Sequence, residues 1–153
     1  TIARACDILF DSHKYNPESR ETADHSLPYC IAAALVDHQI TTNSFSEEKL
    51  KDPRIREVIN KIKGKASKEF EAMFPAKQPS KVVVKTKDGK EHSAYLEYPK
   101  GDPREPMTDD ELQTKFNALA DGLLNAERQK KLHKTIFACE KMSARDFMNE
   151  LAV

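Results

Sequence analysis

Ten residues, RETADHSLPY from Arg20 to Tyr29, hold the densest set of groups that can move protons or hold an anion. Arg20 can pair with a carboxylate, His25 can give or take a proton near neutral pH, and Ser26 and Tyr29 carry hydroxyls. Glu21 and Asp24 add two acids within the same run. An apolar segment follows directly, and charge beside an apolar helix is costly unless it is paired or used. The alternative is a helix N-terminus with acids near its positive end and one paired arginine. His25 taken alone is more often structural than catalytic. A second cluster, Lys100, Asp102 and Arg104 in PKGDPR, puts two cations in a glycine-containing loop that can hold a carboxylate, or else simply connects two elements. Asp24 and His25 are too few for a metal site without remote ligands, so no metal is expected. The run Arg128, Lys130, Lys131, His133, Lys134 lacks interleaved aromatics and reads as a solvated helix face. Cys30, inside the apolar segment, reads as a small core residue. No P-loop, GxGxxG, HExxH or GxSxG is present.

The elements that must position these groups are legible from pattern. Residues 2–10 read as a helical segment ended at Asn16-Pro17. Leu27 to Val36 is apolar and alanine-rich with Pro28 near its start, which predicts a buried helix over about 26–37 capped by Ser26. Ser44 and Glu47 suggest a capping box for a short helix. Asp52-Pro53 then starts a helix whose Ile55, Val58, Ile59 and Ile62 share one face, with Gly64 as its C-terminal stop. Residues 64–80 read as irregular, anchored by Phe70, Met73 and Phe74. Asp88-Gly89 between two β-rich runs predicts a hairpin over about 81–98, with Val82, Val84, Ala94, Leu96 and Tyr98 on its buried face. Two strands alone are marginal in water, so the hairpin calls for another strand. Thr108 with Glu111 starts an amphipathic helix through Leu123, a further helix spans about 126–138, and Ser143 with Asp146 caps a last one. The fold class is α+β, helix-rich with a small antiparallel sheet and C-terminal helices.

Length and composition bound the rest. The chain has 153 residues with 25 basic and 25 acidic side chains, and a formal net charge of zero. That balance removes the long-range pull toward nucleic acid or anionic lipid, so neither partner is expected. No run approaches the roughly 20 apolar residues of a membrane-spanning helix, and the first residues show no export signal. Cys6, Cys30 and Cys139 are far apart and odd in number, which argues for reduced thiols. The sequence starts at Thr1 and turns apolar at once, as a chain that was processed or cut from something longer would.

Three separated stretches carry a resemblance: SRETADHSLPYCIAAALVDHQIT (19–41), FSEEKLKDPRIREVINKI (45–62) and DGKEHSAYLEYPKGDPREPMTDDELQTKF (88–116). In this order they resemble the C-terminal domain of the MmgE/PrpD family, which includes 2-methylcitrate dehydratase and cis-aconitate decarboxylase. The resemblance covers roughly residues 1–125, taken as the C-terminal α+β domain, and leaves 126–153 as a helical extension. Within the family, the RETADHS wording is most similar to the 2-methylcitrate dehydratase branch; other members more often carry Lys-Phe-Ser before the Leu-Pro-Tyr. The resemblance implies a larger two-domain enzyme, in which a helical N-terminal domain and this smaller domain enclose the substrate between them. It implies a homodimer, no cofactor and no metal, in the cytoplasm or, in a eukaryote, the mitochondrion.

By the same resemblance Tyr29 matches the tyrosine of a Ser-x-x-Tyr motif that lines the cleft, and His25 and Ser26 match a polar pair. Arg20 and Glu21 match the dehydratase-type lead-in, and Lys100 with Gly101 the loop after the second hairpin strand. The implied reaction is removal of water from a tricarboxylate, 2-methylcitrate to 2-methylaconitate. His25 and Tyr29 are the catalytic candidates; Arg20, Ser26 and Lys100 are the candidates for holding substrate carboxylates. The main base is expected outside this chain, which would then be inactive alone. The alternatives are decarboxylation or isomerisation of a related polycarboxylate such as cis-aconitate, or a non-catalytic dimerisation or binding module built on the apolar 27–36 helix.

Overall fold

The structure, a computed structural model, describes residues 10–152. The helical segment expected over 2–10 lies outside the described residues except for Phe10. Two compact units are present, Thr1–Pro106 and Met107–Val153.

In the first unit, a 3-10 turn (Ser12–Tyr15) leads into a short helix, α1 (Arg20–Asp24). Ser19 starts α1 with a capping box: its hydroxyl accepts from the Thr22 amide, and the Thr22 hydroxyl accepts from the Ser19 amide. The next helix, α2 (Leu27–Asp37), is capped by Ser26 with Pro28 in its first turn, as its sequence predicts. Its residues Tyr29, Ala32 and Ala33 are fully buried. Their neighbour is α4 (Pro53–Ile59), which brings Ile55 and Ile59 into the same core. The alanines have no bulk to hold the helices apart, so α4 lies close on α2. Burying each isoleucine contributes about 1.5–3 kcal/mol. Asp52 caps α4 and accepts from the Arg54 amide.

Between them, a 3-10 turn (Thr42–Phe45) precedes α3 (Glu47–Leu50). Here the expected Ser44–Glu47 box is replaced by two adjacent caps. Thr41 and Ser44 close a box on the 3-10 turn, and Ser46 starts α3. Hydroxyls at Thr41, Ser44 and Ser46 let the chain place two caps where the pattern suggested one. Lys49 on α3 holds Asp37 at the end of α2 across 2.7 Å.

Gly64 stands beyond the end of α4, whose cap is Asn60. The Phe10 ring occupies the space that a side chain at 64 would need. Gly64 is therefore required by close approach rather than as a helix stop. Ser67 caps a helix not evident in the pattern, α5 (Lys68–Met73), which seats the expected anchor Phe70.

The hairpin forms from β1 (Ser80–Lys85) and β2 (Glu91–Leu96), antiparallel, with Val82 opposite Ala94 and Val84 opposite His92. Gly89 turns with φ +84°, the left-handed region that the Asp-Gly pair anticipates. The expected burial of the Val82–Ala94–Leu96 face is overturned: Val82 is 39% and Leu96 56% exposed. Neither face is closed: Val83 and Tyr95 on the opposite face are 43% and 47% exposed, Phe70 meets Tyr95 only with ring centroids 5.8 Å apart, and the described residues add no third strand to cover the sheet.

The second unit contains α6 (Asp109–Ala120), α7 (Ala126–Phe137) and α8 (Ala144–Leu151), capped by Thr108, Asn125 and Ser143. The Thr108–Glu111 capping box is present as predicted. Arg128 on α7 donates to the backbone carbonyls of Glu150 and Ala152 at 2.6 and 2.7 Å, tying α7 to the end of α8. Ala120 and Leu132 are buried, while Leu119 and Leu123 of the expected apolar stripe are exposed.

Candidate functional site

The sequence-predicted residues divide between surface and core. His25 follows α1 and is largely exposed, at 70% of its side chain. Its Nδ1 contacts the Asp24 carboxylate and lies 3.1 Å from the Glu21 carbonyl. Two acceptors at Nδ1 favour the tautomer that carries its proton there, which leaves Nε2 as the acceptor facing outward. The Asp24 hydrogen bond is the main cause that raises the His25 pKa above its ordinary 6.5, with the Glu21 carbonyl and the Asp24 charge next. Lys14, from the preceding 3-10 turn, opposes them.

Ser26 and Tyr29 are turned the other way. Ser26 is fully buried; it accepts from the Tyr29 amide and donates to the Lys14 carbonyl at 2.5 Å. It is thus both the cap of α2 and the clamp on the turn before α1. The Tyr29 ring has 0% exposure, and its hydroxyl donates to the Ser44 carbonyl at 2.7 Å. Burial pushes the phenol up to about 12. The ring also meets Phe45, centroids 6.0 Å apart. In this arrangement the Tyr29 hydroxyl joins α2 to the Thr42–Phe45 turn, and its proton is directed inward.

Arg20 lies at the other end of α1 from His25. It lines a cavity of about 470 Å³ together with Lys51, Arg56, Glu18, Glu47 and Phe45. The Arg56 guanidinium is held in place by the carbonyls of Leu50 and Pro17, at 3.1 Å each, and by Asn16 Oδ1 at 2.7 Å. Sequence reasoning missed Arg56 and Lys51. Arg56 stands 36 positions after Arg20, and only the packing of α4 brings them to one cavity; no local pattern signals that approach.

Lys100 belongs to the turn after β2 and pairs with Glu105 at 3.5 Å. Gly101 there has φ +96° and its amide donates to the Glu105 carbonyl at 2.8 Å. Arg104 forms a two-pronged pair with Asp102, at 2.8 and 2.9 Å, and lies 4.0 Å over the Tyr98 ring. The guanidinium holds the Asp102 carboxyl at about 2. The loop's own charges therefore close on each other, as a built connector does. Among the described bonds, none joins Lys100 to His25, Ser26 or Tyr29.

Cys30 and Cys139 are free thiols, and burial raises the Cys30 pKa. Among the described residues no group of three or more His, Cys, Asp or Glu is placed to hold a metal ion. No described helix is long and apolar enough to cross a membrane. The apolar α2 helix spends its buried face inside its own unit, against α4 and α1. Leu27, Cys30, Ile31, Ala34 and Val36 of the same helix are only half-buried, and Leu35 is exposed.

Chemically, the α1–α2 junction offers an outward imidazole with a carboxylate behind it, and the α1–α4 cavity offers two guanidinium groups. The family model described as the MmgE/PrpD C-terminal domain matches residues 1–140. Cis-aconitate decarboxylase of Mus musculus is 27% identical over 123 residues, covering 80% of this chain and 25% of its own length. The Homo sapiens cis-aconitate decarboxylase is 29% identical over 127 residues, covering 78% and 25%. A cis-aconitate decarboxylase-like protein, oryM, of Aspergillus oryzae is 30% identical over 118 residues, covering 73% and 23%. The chain thus spans about a quarter of the length of these relatives.

Proposed function

Because the chain belongs to the MmgE/PrpD family through its C-terminal domain, we propose that it supplies one wall of a polycarboxylate lyase site, with decarboxylation of a cis-aconitate-like acid as the leading reaction. The observation that carries this reading is the match along most of the chain to relatives named cis-aconitate decarboxylases. The other wall is the helical domain that the family resemblance implies, and the assembled protein is a homodimer that needs no cofactor. Its compartment is the cytoplasm, or the mitochondrion in a eukaryote.

Loss of carbon dioxide from an unsaturated polycarboxylate leaves an electron pair shared with the remaining carboxylates. A proton must then be returned to carbon, and cations must hold the negative charge. His25 suits proton return: its Nε2 faces outward and the Asp24 carboxylate stabilises its charged form. Arg20 suits carboxylate binding from its exposed place in the cavity. Ser26 and Tyr29 support these groups by fixing the α1–α2 junction and the Thr42–Phe45 turn. Lys100 remains a candidate for a carboxylate that reaches the loop after β2.

A second reading, loss of water from 2-methylcitrate, is favoured by the RETADHS run (20–26) itself. Here the same imidazole would protonate the departing hydroxyl, and a base outside this chain would take the carbon-bound proton. Product analysis with the full-length protein separates the two. Carbon dioxide released from cis-aconitate supports the first reading. An unsaturated acid formed from 2-methylcitrate without carbon dioxide supports the second, and neither product would remove both.

A further inference from the structure

Three of the six arginines among the described residues have a carboxylate close by. Arg54 pairs with Asp52, Arg104 with Asp102, and Arg128 lies near Glu150. Arg20 and Arg56 form no such pair among the described residues, and both line the same 470 Å³ cavity. Arg56 spends its three bonds on two carbonyls and one amide oxygen. Those partners fix the guanidinium without neutralising it, and a guanidinium has five N–H donors, so two are left over. Lys51 adds a third cation, 3.7 Å from Glu47 and exposed. Glu18 is the other acid of the lining, so the cations outnumber the acids three to two. The Phe45 side chain supplies an apolar wall.

From this cavity we infer a carboxylate-binding subsite, built by Arg20 and Arg56 across the α1–α4 gap, that takes one end of a small polycarboxylate. The identity of the ligand class rests on the lyase reading above; the cavity and its unneutralised guanidinium groups do not. Arg56 is the fixed half of the subsite, because backbone carbonyls orient it before any ligand arrives. Arg20 is the exposed half, at the start of α1, with no carboxylate partner among the described residues. A planar fork facing a carboxylate gives two parallel hydrogen bonds, which an ammonium cannot reproduce.

The test uses the 153-residue chain and tricarballylate, an unreactive tricarboxylate, followed by the side-chain Nε–H signals of arginine in NMR. Tricarballylate is expected to shift the Arg20 and Arg56 signals together in a saturable way. Arg20→Gln, at an exposed position, should weaken binding by about tenfold with the fold intact, a change worth roughly 1.4 kcal/mol. Arg20→Lys should recover only part of that loss, because it restores charge but not the fork. A titration that leaves both signals in place, or binding unchanged by Arg20→Gln, overturns the subsite. So does equal recovery by Arg20→Lys and wild type, which would indicate bulk charge alone. The outcome separates from the lyase reading: binding that depends on Arg20, in a full-length protein that yields neither product, keeps the subsite and removes the reaction. Turnover with no tricarballylate binding does the reverse.

Discussion

Replacing Tyr29 by phenylalanine tests how the α1–α2 region is built. The hydroxyl is fully buried and donates at 2.7 Å to the Ser44 carbonyl. The variant keeps the ring, and hence its contact with Phe45, but leaves that carbonyl without this donor. A buried acceptor left unpaired costs about 1–3 kcal/mol. At roughly 2–4 °C per kcal/mol for a chain of this size, the melting midpoint should fall by about 2–12 °C. A second signature comes from pH. The folded phenol titrates at about 12 against an ordinary 10.0, so the folded state binds its proton more tightly. Its stabilising effect is complete below pH 10 and is lost as pH rises from 10 toward 12. Tyr29→Phe should lack that part of the alkaline decline. Urea unfolding followed by circular dichroism at pH 8 and again above pH 10 reads both effects. Turnover of the full-length variant should persist wherever it remains folded, because the hydroxyl is directed inward to the Ser44 carbonyl. Unchanged stability together with abolished turnover would refute it and return the phenol to the chemistry.

Further outcomes follow from neighbouring residues. Ser26→Ala removes the cap of α2 and the bond to the Lys14 carbonyl, and should cost about 2–3 kcal/mol in urea unfolding. Ala33→Leu places bulk where α4 lies against α2, and should destabilise by about 1–3 kcal/mol or more, visible as a lower denaturation midpoint. The His25 imidazole should titrate above 6.5 by NMR, and Asp24→Asn should bring it back toward that value. Because its folded pKa is raised, the stability from this contact is present below pH 6.5 and lost as pH climbs through the folded midpoint.

Much of the frame was readable from sequence because local signals act locally. Ser26 before Leu-Pro, Asp52 before Pro53, and Thr108 with Glu111 each cap the helix they announce, since a cap needs only its own next three amides. Asp88-Gly89 likewise fixes its turn within four residues. What the pattern missed depends on distant partners. The expected buried face of β1 and β2 is left open, as is the other, because closing it needs a further element over the sheet, which the alternation of the strands does not encode. Gly64 resembled a helix stop, yet its role is to admit the ring of Phe10, 54 positions away. The candidate site shows the same division. Arg20, His25, Ser26 and Tyr29 were found as a cluster, but adjacency in sequence did not reveal that α1 and α2 would turn two of them out and two of them in. Arg56 was invisible until α4 was packed.

The central claim is that this chain is one wall of a polycarboxylate site whose other wall lies in a separate domain. The most direct measurement compares carbon dioxide release from cis-aconitate by the isolated chain and by the same chain joined to the rest of its full-length protein. The account predicts no release from the chain alone, release by the joined protein, and a marked loss of that release in His25→Gln. Turnover by the isolated chain at the rate of the joined protein, or full activity in His25→Gln, would contradict it.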